Sequence, residues 1–138
     1  MQKLILDTNI IVSALISNSF PTQILYELVL TKAVETCLSD EIFVEYIEVL
    51  AREKFDKFVN FKSKAEVVLN KLRETGRYYT PDRRIEILSD LSDNKFLEVA
   101  AASSADYLIT GNKLDFTLTE FDFTRIVSPK EYWNNYKP

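Results

Sequence analysis

Short apolar segments with the character of buried strands alternate with longer segments of helical periodicity, and this alternation constrains the fold most strongly. The strand candidates are residues 3–6, 34–38, 78–80, 107–110 and 125–127. The helix candidates are residues 10–16, 21–30, 39–50, 64–74 and 93–102. Strands that alternate with helices predict an α/β domain with a mainly parallel sheet. With 138 residues, two glycines and no internal repeat, the chain is expected to form one domain over residues 1–138.

The amino-acid types exclude several kinds of active site. The chain contains no histidine, so it cannot use a Ser-His-Asp or Cys-His arrangement or a histidine-ligated zinc ion. The 21 Asp and Glu residues are therefore the side chains available for hydrolytic chemistry, together with the hard divalent cations that prefer oxygen ligands.

The sequence predicts neither a membrane segment nor a secretory signal. The longest apolar run, residues 10–16, is interrupted by Ser13 and is too short to span a bilayer. Asp7 lies within the first apolar stretch, where a signal peptide would not carry a carboxylate. The single cysteine, Cys37, cannot form an internal disulfide and suits a reducing compartment. We expect a cytoplasmic protein that does not cross a membrane.

The net charge of −4 is unevenly distributed along the chain. Residues 52–84 contain 10 Lys and Arg against 5 Asp and Glu, which gives +5, and the remainder has 7 against 16, or −9. A basic segment beside an acidic remainder could bind phosphate next to a site that collects metal ions. The same segment could equally form the solvated face of a helix.

Polar residues directly follow two of the predicted strands. Asp7 follows strand 3–6 and Asn112 follows strand 107–110, so both are expected at the carboxyl edge of the sheet, where α/β proteins bind ligands. An ionised carboxylate after an apolar strand is costly unless a partner offsets its charge. Asp7 could alternatively do no more than cap the helix that follows it.

Helical periodicity selects one glutamate from the helix that Ser39 is expected to cap. At about 100° per residue, the predicted buried stripe consists of Ile42, Phe43, Tyr46, Ile47 and Leu50. Glu41 and Glu48 point away from this stripe, whereas Glu45 lies at its edge beside Val49. Glu45 is therefore the candidate functional residue, although it could also reach water as an ordinary flanking side chain.

Three further aspartates are candidates for the same edge of the sheet. Asp90 and Asp93 precede the helix predicted over residues 93–102, and Asp115 follows the last central strand in a loop. Asp93 could serve only as a helix cap and Asp90 only as a turn residue. Several carboxylates in one site repel one another, and a divalent cation neutralises them. Together these acids predict a metal site able to activate water for attack on a phosphodiester.

Four segments resemble, in order, the signature segments of PIN domains. They are residues 4–10 (LILDTNI), 39–50 (SDEIFVEYIEVL), 89–97 (SDLSDNKFL) and 105–112 (ADYLITGN). The resemblance spans nearly the whole chain, and it places the acidic residues of the family at Asp7, Glu45 and Asp93. Within the family, the chain looks closest to the VapC-like branch of bacteria and archaea, whose members are toxins of toxin–antitoxin pairs.

This resemblance implies a three-layer α/β/α sandwich around a parallel sheet of about five strands. It also implies an endoribonuclease that hydrolyses RNA with Mg²⁺ or Mn²⁺ held by the catalytic residues Asp7, Glu45 and Asp93. The additional metal ligands that it suggests are Asn112, Asp90 and Asp115. The residues expected to orient these ligands are Thr8, Asn9 and Thr110.

One departure from the family motivates a second hypothesis. Many relatives carry aspartate where this chain has Asn112, and a neutral amide can ligate a metal but brings no negative charge. The alternative is a PIN-like module, weakly active or inactive, that binds RNA or a partner protein without cutting.

The resemblance further implies a cognate antitoxin and a homodimer. The aromatic residues Phe55, Phe58 and Phe61 could line such a partner surface, or they could pack within the core of the chain itself.

Overall fold

Strands and helices alternate through residues 1–88, 90–111 and 118–138, which are the residues that the computed structural model describes. The strands are β1 (Lys3–Leu6), β2 (Glu35–Leu38), β3 (Arg77–Tyr78), β4 (Tyr107–Ile109), β5 (Glu120–Phe121) and β6 (Thr124–Val127). The helices are α1 (Thr8–Ile16), α2 (Phe20–Gln23), α3 (Asp40–Leu50), α4 (Phe61–Thr75), α5 (Asn94–Ser103) and α6 (Pro129–Asn135). The π-helical segment Ile24–Val29 continues α2, and the short 3₁₀ turns are Glu53–Phe55 and Leu91–Asp93.

The strands form one sheet in the order β3-β2-β1-β4-β6-β5. All neighbouring strands pair in parallel except β5 and β6, which are antiparallel. In the central strand β1, Leu4, Ile5 and Leu6 are completely buried, as expected when helices cover both faces of a parallel sheet. The chain runs outward from β1 to β3 and then returns to β4 on the other side of β1. The strand order therefore reverses between β1 and β4, where α/β sheets bind their ligands.

Helices cover the sheet on both faces. Because crossover connections between parallel strands are right-handed, the outward path puts α1, α3 and α4 on one face and the return path puts α5 on the other. In agreement, α1, α3 and α4 contact one another, and α5 contacts β1 and β2. The predicted α/β/α architecture with a mainly parallel sheet is thus confirmed. No helix in the described residues is both long and apolar enough to cross a membrane.

Within the described residues the sheet has six strands, whereas about five were expected. The strand that the sequence did not predict is β5. This strand is only two residues long and pairs with β6 through a turn in which Asp122 has a φ of 52°. Two residues are too few to show the alternation that identifies a strand. The reading also missed α6, although Ser128 caps this helix and Pro129 occupies its first turn.

Other boundaries differ by a few residues from the prediction. The strand predicted over residues 78–80 is β3 at Arg77–Tyr78, and the helix predicted from residue 64 begins at Phe61. Its predicted end at Gly76 is confirmed, since Gly76 is the C-cap of α4.

The aromatic residues after α3 pack within the chain. Phe55 and Phe61 are buried and stack with their ring centroids 4.8 Å apart, and Phe58 is partly buried against the core. The interpretation of these residues as internal packing is therefore confirmed for Phe55 and Phe61. Their burial removes the sequence argument for a homodimer surface at this position.

The two glycines of the chain allow a matched test of the packing between α4 and β2. A Cβ at Gly76 would lie 2.4 Å from Leu38 Cδ1 and 2.6 Å from the carbonyl oxygen of Leu72. A Cβ at Gly111 would meet no atom of the described residues within 4 Å. We expect Gly76→Ala to lower the free energy of unfolding by about 1–3 kcal/mol, and Gly111→Ala to change it by less than about 0.5 kcal/mol. Urea denaturation measures both, and equal effects would contradict the close approach at Gly76.

Candidate active site

Asp7 lies where β1 ends and α1 begins, at the carboxyl edge of the sheet. Its side chain is buried, with only 4% of the residue exposed, and its backbone N–H donates to the carbonyl of Ile109 at 3.0 Å. Thr110, directly after β4, donates from Oγ1 to Asp7 Oδ2 at 2.7 Å. Asp7 occupies the N-cap position of α1, but its side chain makes no capping hydrogen bond. A capping hydrogen bond therefore does not account for this buried carboxylate, although the backbone N–H groups of Thr8 and Asn9 lie close enough to lower its pKa.

The buried stripe of α3 turns Glu45 towards the same edge. Its buried residues are Ile42, Phe43, Tyr46, Val49 and Leu50. The prediction for Ile47 was wrong, since Ile47 is 38% exposed and Val49 is buried in its place. The stripe is thus rotated towards the side of the helix that carries Glu45. Glu41 and Glu48 are exposed, as predicted.

Tyr46 fixes α3 against β1. Its hydroxyl group is fully buried and donates to the carbonyl of Leu6, the residue before Asp7, at 2.5 Å. Burial raises the pKa of Tyr46 well above its usual value, and the negative charges of Asp7 and Glu45 raise it further. The hydroxyl therefore stays protonated and remains a donor. This contact brings the neighbouring Glu45 close to the end of β1.

Both carboxylate oxygens of Glu45 have donors. Thr8 Oγ1 donates to Glu45 Oε2, and Lys95 Nζ donates to Glu45 Oε1 at 2.7 Å. Thr8 is buried in the first turn of α1, so the carboxylate is held between α1 and α5. The prediction that Thr8 and Thr110 orient the acidic residues agrees with these two hydrogen bonds.

Lys95 is the member of the site that the sequence reading missed. It is only 7% exposed, and its ammonium group donates to the carbonyl of Ser92 as well as to Glu45. A lysine is rarely so buried unless a carboxylate pairs with it. The sequence did contain a signal, because Lys95 lies one helical turn before the buried Val99 and therefore on the apolar side of α5.

The surroundings of Asp7, including the nearby Glu45, oppose its ionisation. Burial raises the pKa of Asp7, the hydrogen bond from Thr110 opposes this change, and the nearby charge of Glu45 raises the pKa again. The backbone N–H groups of Thr8 and Asn9 lower it to a smaller extent. Asp7 and Glu45 therefore share a region in which an added positive charge would be stabilising.

The two aspartates before α5 have different surroundings. Asp93 is partly buried directly before α5, two residues from Lys95, and makes no capping hydrogen bond. Asp90 is exposed, and its Oδ1 accepts hydrogen bonds from the backbone N–H (3.0 Å) and hydroxyl (2.7 Å) of Ser92. These bonds lower the pKa of Asp90. The contacts of Asp90 thus match a turn residue, while Asp93 stays with the candidate ligands.

Three other predicted residues contribute no described side-chain contact to the site. Asn9 is exposed on α1. Asn112 and Asp115 lie outside the described residues.

The donor atoms present fit a hard divalent cation. Asp7 and Glu45 offer carboxylate oxygens, and Thr8 and Thr110 hold them in place. Mg²⁺ and Mn²⁺ prefer such oxygen ligands, and Mg²⁺ is commonly held by one or two carboxylates. Among the described residues, however, no group of three or more acidic or cysteine side chains surrounds a single point. The described part of the site therefore supplies a partial ligand set of two neighbouring carboxylates.

The charge of Asp7 is expected to destabilise the metal-free protein at neutral pH. A folded carboxyl group with a raised pKa keeps its proton to higher pH than the unfolded chain does, so stability falls as pH rises above about 3.8, the reference value. Asp7→Asn keeps an oxygen that can accept from Thr110 and removes the charge. We expect this variant to melt about 2–5 °C higher than the wild type at neutral pH in EDTA, with a smaller gain near pH 4.

Thermal unfolding followed by circular dichroism measures this difference. Asp82→Asn, at an exposed position, is the matched control and should leave the melting temperature unchanged. A lower melting temperature for Asp7→Asn at neutral pH would contradict the unfavourable burial of this charge.

Comparisons with known proteins agree with the fold. The sequence model of the PIN domain matches residues 3–114. The chain is 30% identical over 112 residues to the uncharacterized protein MJ1680 of Methanocaldococcus jannaschii, covering 80% of this chain and 71% of that protein. Its structure is similar to a chain of VapBC2 from Rickettsia felis, solved bound to a DNA fragment from their promoter. In that comparison the TM-score is 0.56, the identity is 16%, and 92% of this chain and 98% of the other are covered. The chain belongs to the PIN-domain family.

Proposed function

We propose that the protein is a metal-dependent endoribonuclease that hydrolyses RNA phosphodiester bonds. The observation that carries this proposal is the buried Asp7 carboxylate at the strand-order reversal, next to Glu45 and held by Thr110. A buried charge with a like-charged neighbour is unfavourable in the protein alone, and a bound cation removes that cost. Membership of a family of nucleases supports the same activity.

We assign the metal to the neighbouring carboxylates of Asp7 and Glu45, and we propose Asp93, Asn112 and Asp115 as the further ligands that complete the set. When bound, Mg²⁺ or Mn²⁺ would supply the positive charge that activates water and offsets charge on the phosphoryl oxygens. Thr110 keeps Asp7 Oδ2 oriented, and Thr8 does the same for Glu45 Oε2. These hydrogen bonds fix the ligand directions before any ion binds, which is the usual role of such supporting contacts.

Lys95 has a second part in this proposal. Its ammonium group neutralises Glu45 in the metal-free protein at 2.7 Å. If Glu45 turns to the metal, the ammonium group becomes available to a non-bridging phosphate oxygen of the RNA at the same place. Lysine is a common ligand of phosphate in proteins.

The basic segment 52–84 supports a polyanionic substrate. Of its 10 Lys and Arg residues, Lys62, Arg77 and Arg83 pair with carboxylates in the described part of the chain. The remaining basic residues of the segment have no carboxylate partner there and are Arg52, Lys54, Lys57, Lys64, Lys71, Arg73 and Arg84. Unpaired surface cations of this kind contribute salt-dependent affinity for phosphates.

Cleavage of end-labelled structured RNA with Mn²⁺ tests the proposal directly. We expect cutting by the wild type and none in EDTA, because the reaction needs the cation. Asp7→Asn and Glu45→Gln should each reduce the rate by at least about 100-fold, since each removes a ligand charge. Glu48→Gln, an exposed position on the same helix as Glu45, is the matched control and should cleave at the wild-type rate. Cleavage by Asp7→Asn at the wild-type rate would sink the assignment.

Substitution of Lys95 tests whether its ammonium group and the metal compete for the Glu45 carboxylate. Lys95→Met should lower the free energy of unfolding of the metal-free protein by about 2 kcal/mol, less than for a fully buried pair because the Glu45 side chain is 22% exposed. Added Mn²⁺ should then raise the melting temperature more in Lys95→Met than in the wild type, because no ammonium group competes for Glu45. Lys62→Met removes an exposed ion pair and should cost less than about 1 kcal/mol. If Mn²⁺ raises the melting temperature of the wild type and of Lys95→Met equally, the result would contradict competition between the ammonium group and the metal for Glu45.

A second candidate function is a PIN-like module that binds RNA or protein without cutting. The ion pair between Lys95 and Glu45 favours it, since the pair already neutralises one of the two carboxylates at the site. Calorimetric titration with Mn²⁺ discriminates between the two functions. Tight binding that is lost in Asp7→Asn supports the nuclease, and no binding supports the module.

We also propose that the protein is the toxin of a toxin–antitoxin pair and acts in the cytoplasm. The likeness of its fold to a chain of the VapBC2 complex motivates this proposal. Growth arrest on expression, relieved by co-expression of a neighbouring small gene, would support it. Normal growth of cells that express active nuclease would count against it.

A further inference from the structure

A small cavity opens beside the pair of Lys95 and Glu45. Its volume is about 150 Å³, and its polar lining residues are Glu41, Arg84, Glu86, Asn94, Lys95 and Glu98. Sites for drug-sized ligands have volumes of about 300–1,000 Å³, so this one suits a single small group. Because Lys95 lines the cavity and also binds Glu45, an occupant of the cavity would be adjacent to the candidate active site.

Asn94, one of the lining residues, has a side-chain donor without an acceptor among the described residues. The residue is 3% exposed, and its Oδ1 accepts from the backbone N–H of Leu88 at 3.0 Å, which fixes the orientation of the amide. Its Nδ2 group is buried and has no acceptor in the described part of the chain. A buried donor without an acceptor is destabilising. A ligand that places a carbonyl oxygen against Nδ2 would remove this cost.

The glutamates of the cavity provide acceptors instead. Glu98 Oε2 accepts from the backbone N–H of Ile85 at 3.0 Å, which leaves Oε1 for another donor. Glu41 is exposed and makes no hydrogen bond or ion pair among the described residues. Three glutamates against Arg84 and Lys95 give the lining a net charge of −1. The cavity therefore disfavours a phosphate and favours a neutral group that has one carbonyl oxygen and several N–H donors.

We propose that this cavity binds a guanine base of the RNA, next to the phosphate that is cleaved. Guanine carries a carbonyl oxygen, O6, beside the N1–H group and the N2 amine, which matches Asn94 Nδ2 and a glutamate carboxylate. Adenine and cytosine present one amine beside ring acceptors, and uracil presents one N–H group between two carbonyls. Proteins read single-stranded RNA by such contacts to the pairing edges of unstacked bases. The inference rests on the proposed function, because it takes RNA as the substrate.

The rest of the lining suits the nucleotide to which the base belongs. Ile85 and the 67% exposed Leu91 offer apolar surface to the face of a base. Arg84 is exposed and has no partner among the described residues, so its guanidinium group is available to a flanking phosphate.

Binding is tested separately from cleavage, with the Asp7→Asn variant in EDTA and labelled oligouridine that contains one central guanosine. Fluorescence anisotropy should show at least about tenfold tighter binding than for the same oligonucleotide with adenosine. Inosine, which lacks the amine, and 2-aminopurine, which lacks both O6 and the N1–H donor, should each bind at least about threefold more weakly than guanosine. Equal affinity for all of these bases would overturn the proposal.

Two variants identify the groups that recognise the base. Asn94→Asp keeps an oxygen for Leu88 N–H but loses the donor to O6, so it should reduce the preference for guanosine over 2-aminopurine by about threefold or more. Asn70→Asp, at an exposed position on α4, makes the same change of charge and should keep that preference. If Asn94→Asp is poorly folded by circular dichroism, Glu41→Gln at its exposed position provides the test, through a loss of preference for guanosine over inosine. If folded Asn94→Asp and Glu41→Gln keep the base preferences of the parent protein, the assignment of Asn94 and Glu41 to base recognition is overturned.

Two further results separate this inference from the nuclease proposal and from a free nucleotide. Guanosine preference without cleavage by the wild type would support the guanine site and contradict the nuclease. Cleavage without any base preference would support the nuclease and contradict the guanine site. Free GMP that displaces the oligonucleotide at equal concentration would show that the cavity serves a free nucleotide, which overturns the assignment to RNA.

Discussion

Burial of the Asp7 carboxylate between β1 and β4 is the interaction on which the arrangement of the site depends. Leu6 pairs with Ile109 in the sheet, so the residues that follow them, Asp7 and Thr110, lie side by side. A buried charge is tolerated only where donors or opposite charges surround it. The hydrogen bond from Thr110 is such a donor. Glu45 approaches because α3 is held to the end of β1 through Tyr46. The strand register thus determines which side chains can meet at this edge.

The charges at the site affect both the stability of the metal-free protein and its proposed binding of a cation. In the metal-free protein, the ammonium group of Lys95 offsets the charge of Glu45, while the described residues offer Asp7 hydrogen bonds but no ion pair. Active sites commonly retain unfavourable charges that a substrate or ion later compensates. On the proposed function, Asp7 and Glu45 would hold a cation whose charge offsets that of Asp7, and Lys95 would then be available to the RNA. The same charges that reduce the stability of the protein alone would then provide the binding energy for the metal.

Two adjacent residues in the first turn of α5 contribute to the candidate active site and to the small cavity beside it. Lys95 reaches Glu45, and Asn94 lines the small cavity beside it. Consecutive helical residues point about 100° apart, so one turn can serve both the proposed reaction and the proposed recognition of a base. The short turn before α5 is held by Asp90 through Ser92, which also provides a carbonyl for Lys95. Asp90 therefore contributes to the site by shaping the backbone.

The sequence by itself determined the α/β class, most strand and helix positions, and the candidates Asp7 and Glu45. These follow from local patterns, since strand alternation, helical periodicity and capping act over a few neighbouring residues. Only the tertiary structure decided that Ile47 is exposed and Val49 buried, that Lys95 pairs with Glu45 fifty positions away, and that Asn94 has an unused donor. Such pairings depend on how α3 and α5 pack at the end of β1, and no local pattern encodes the distance between two helices that meet only in the folded chain.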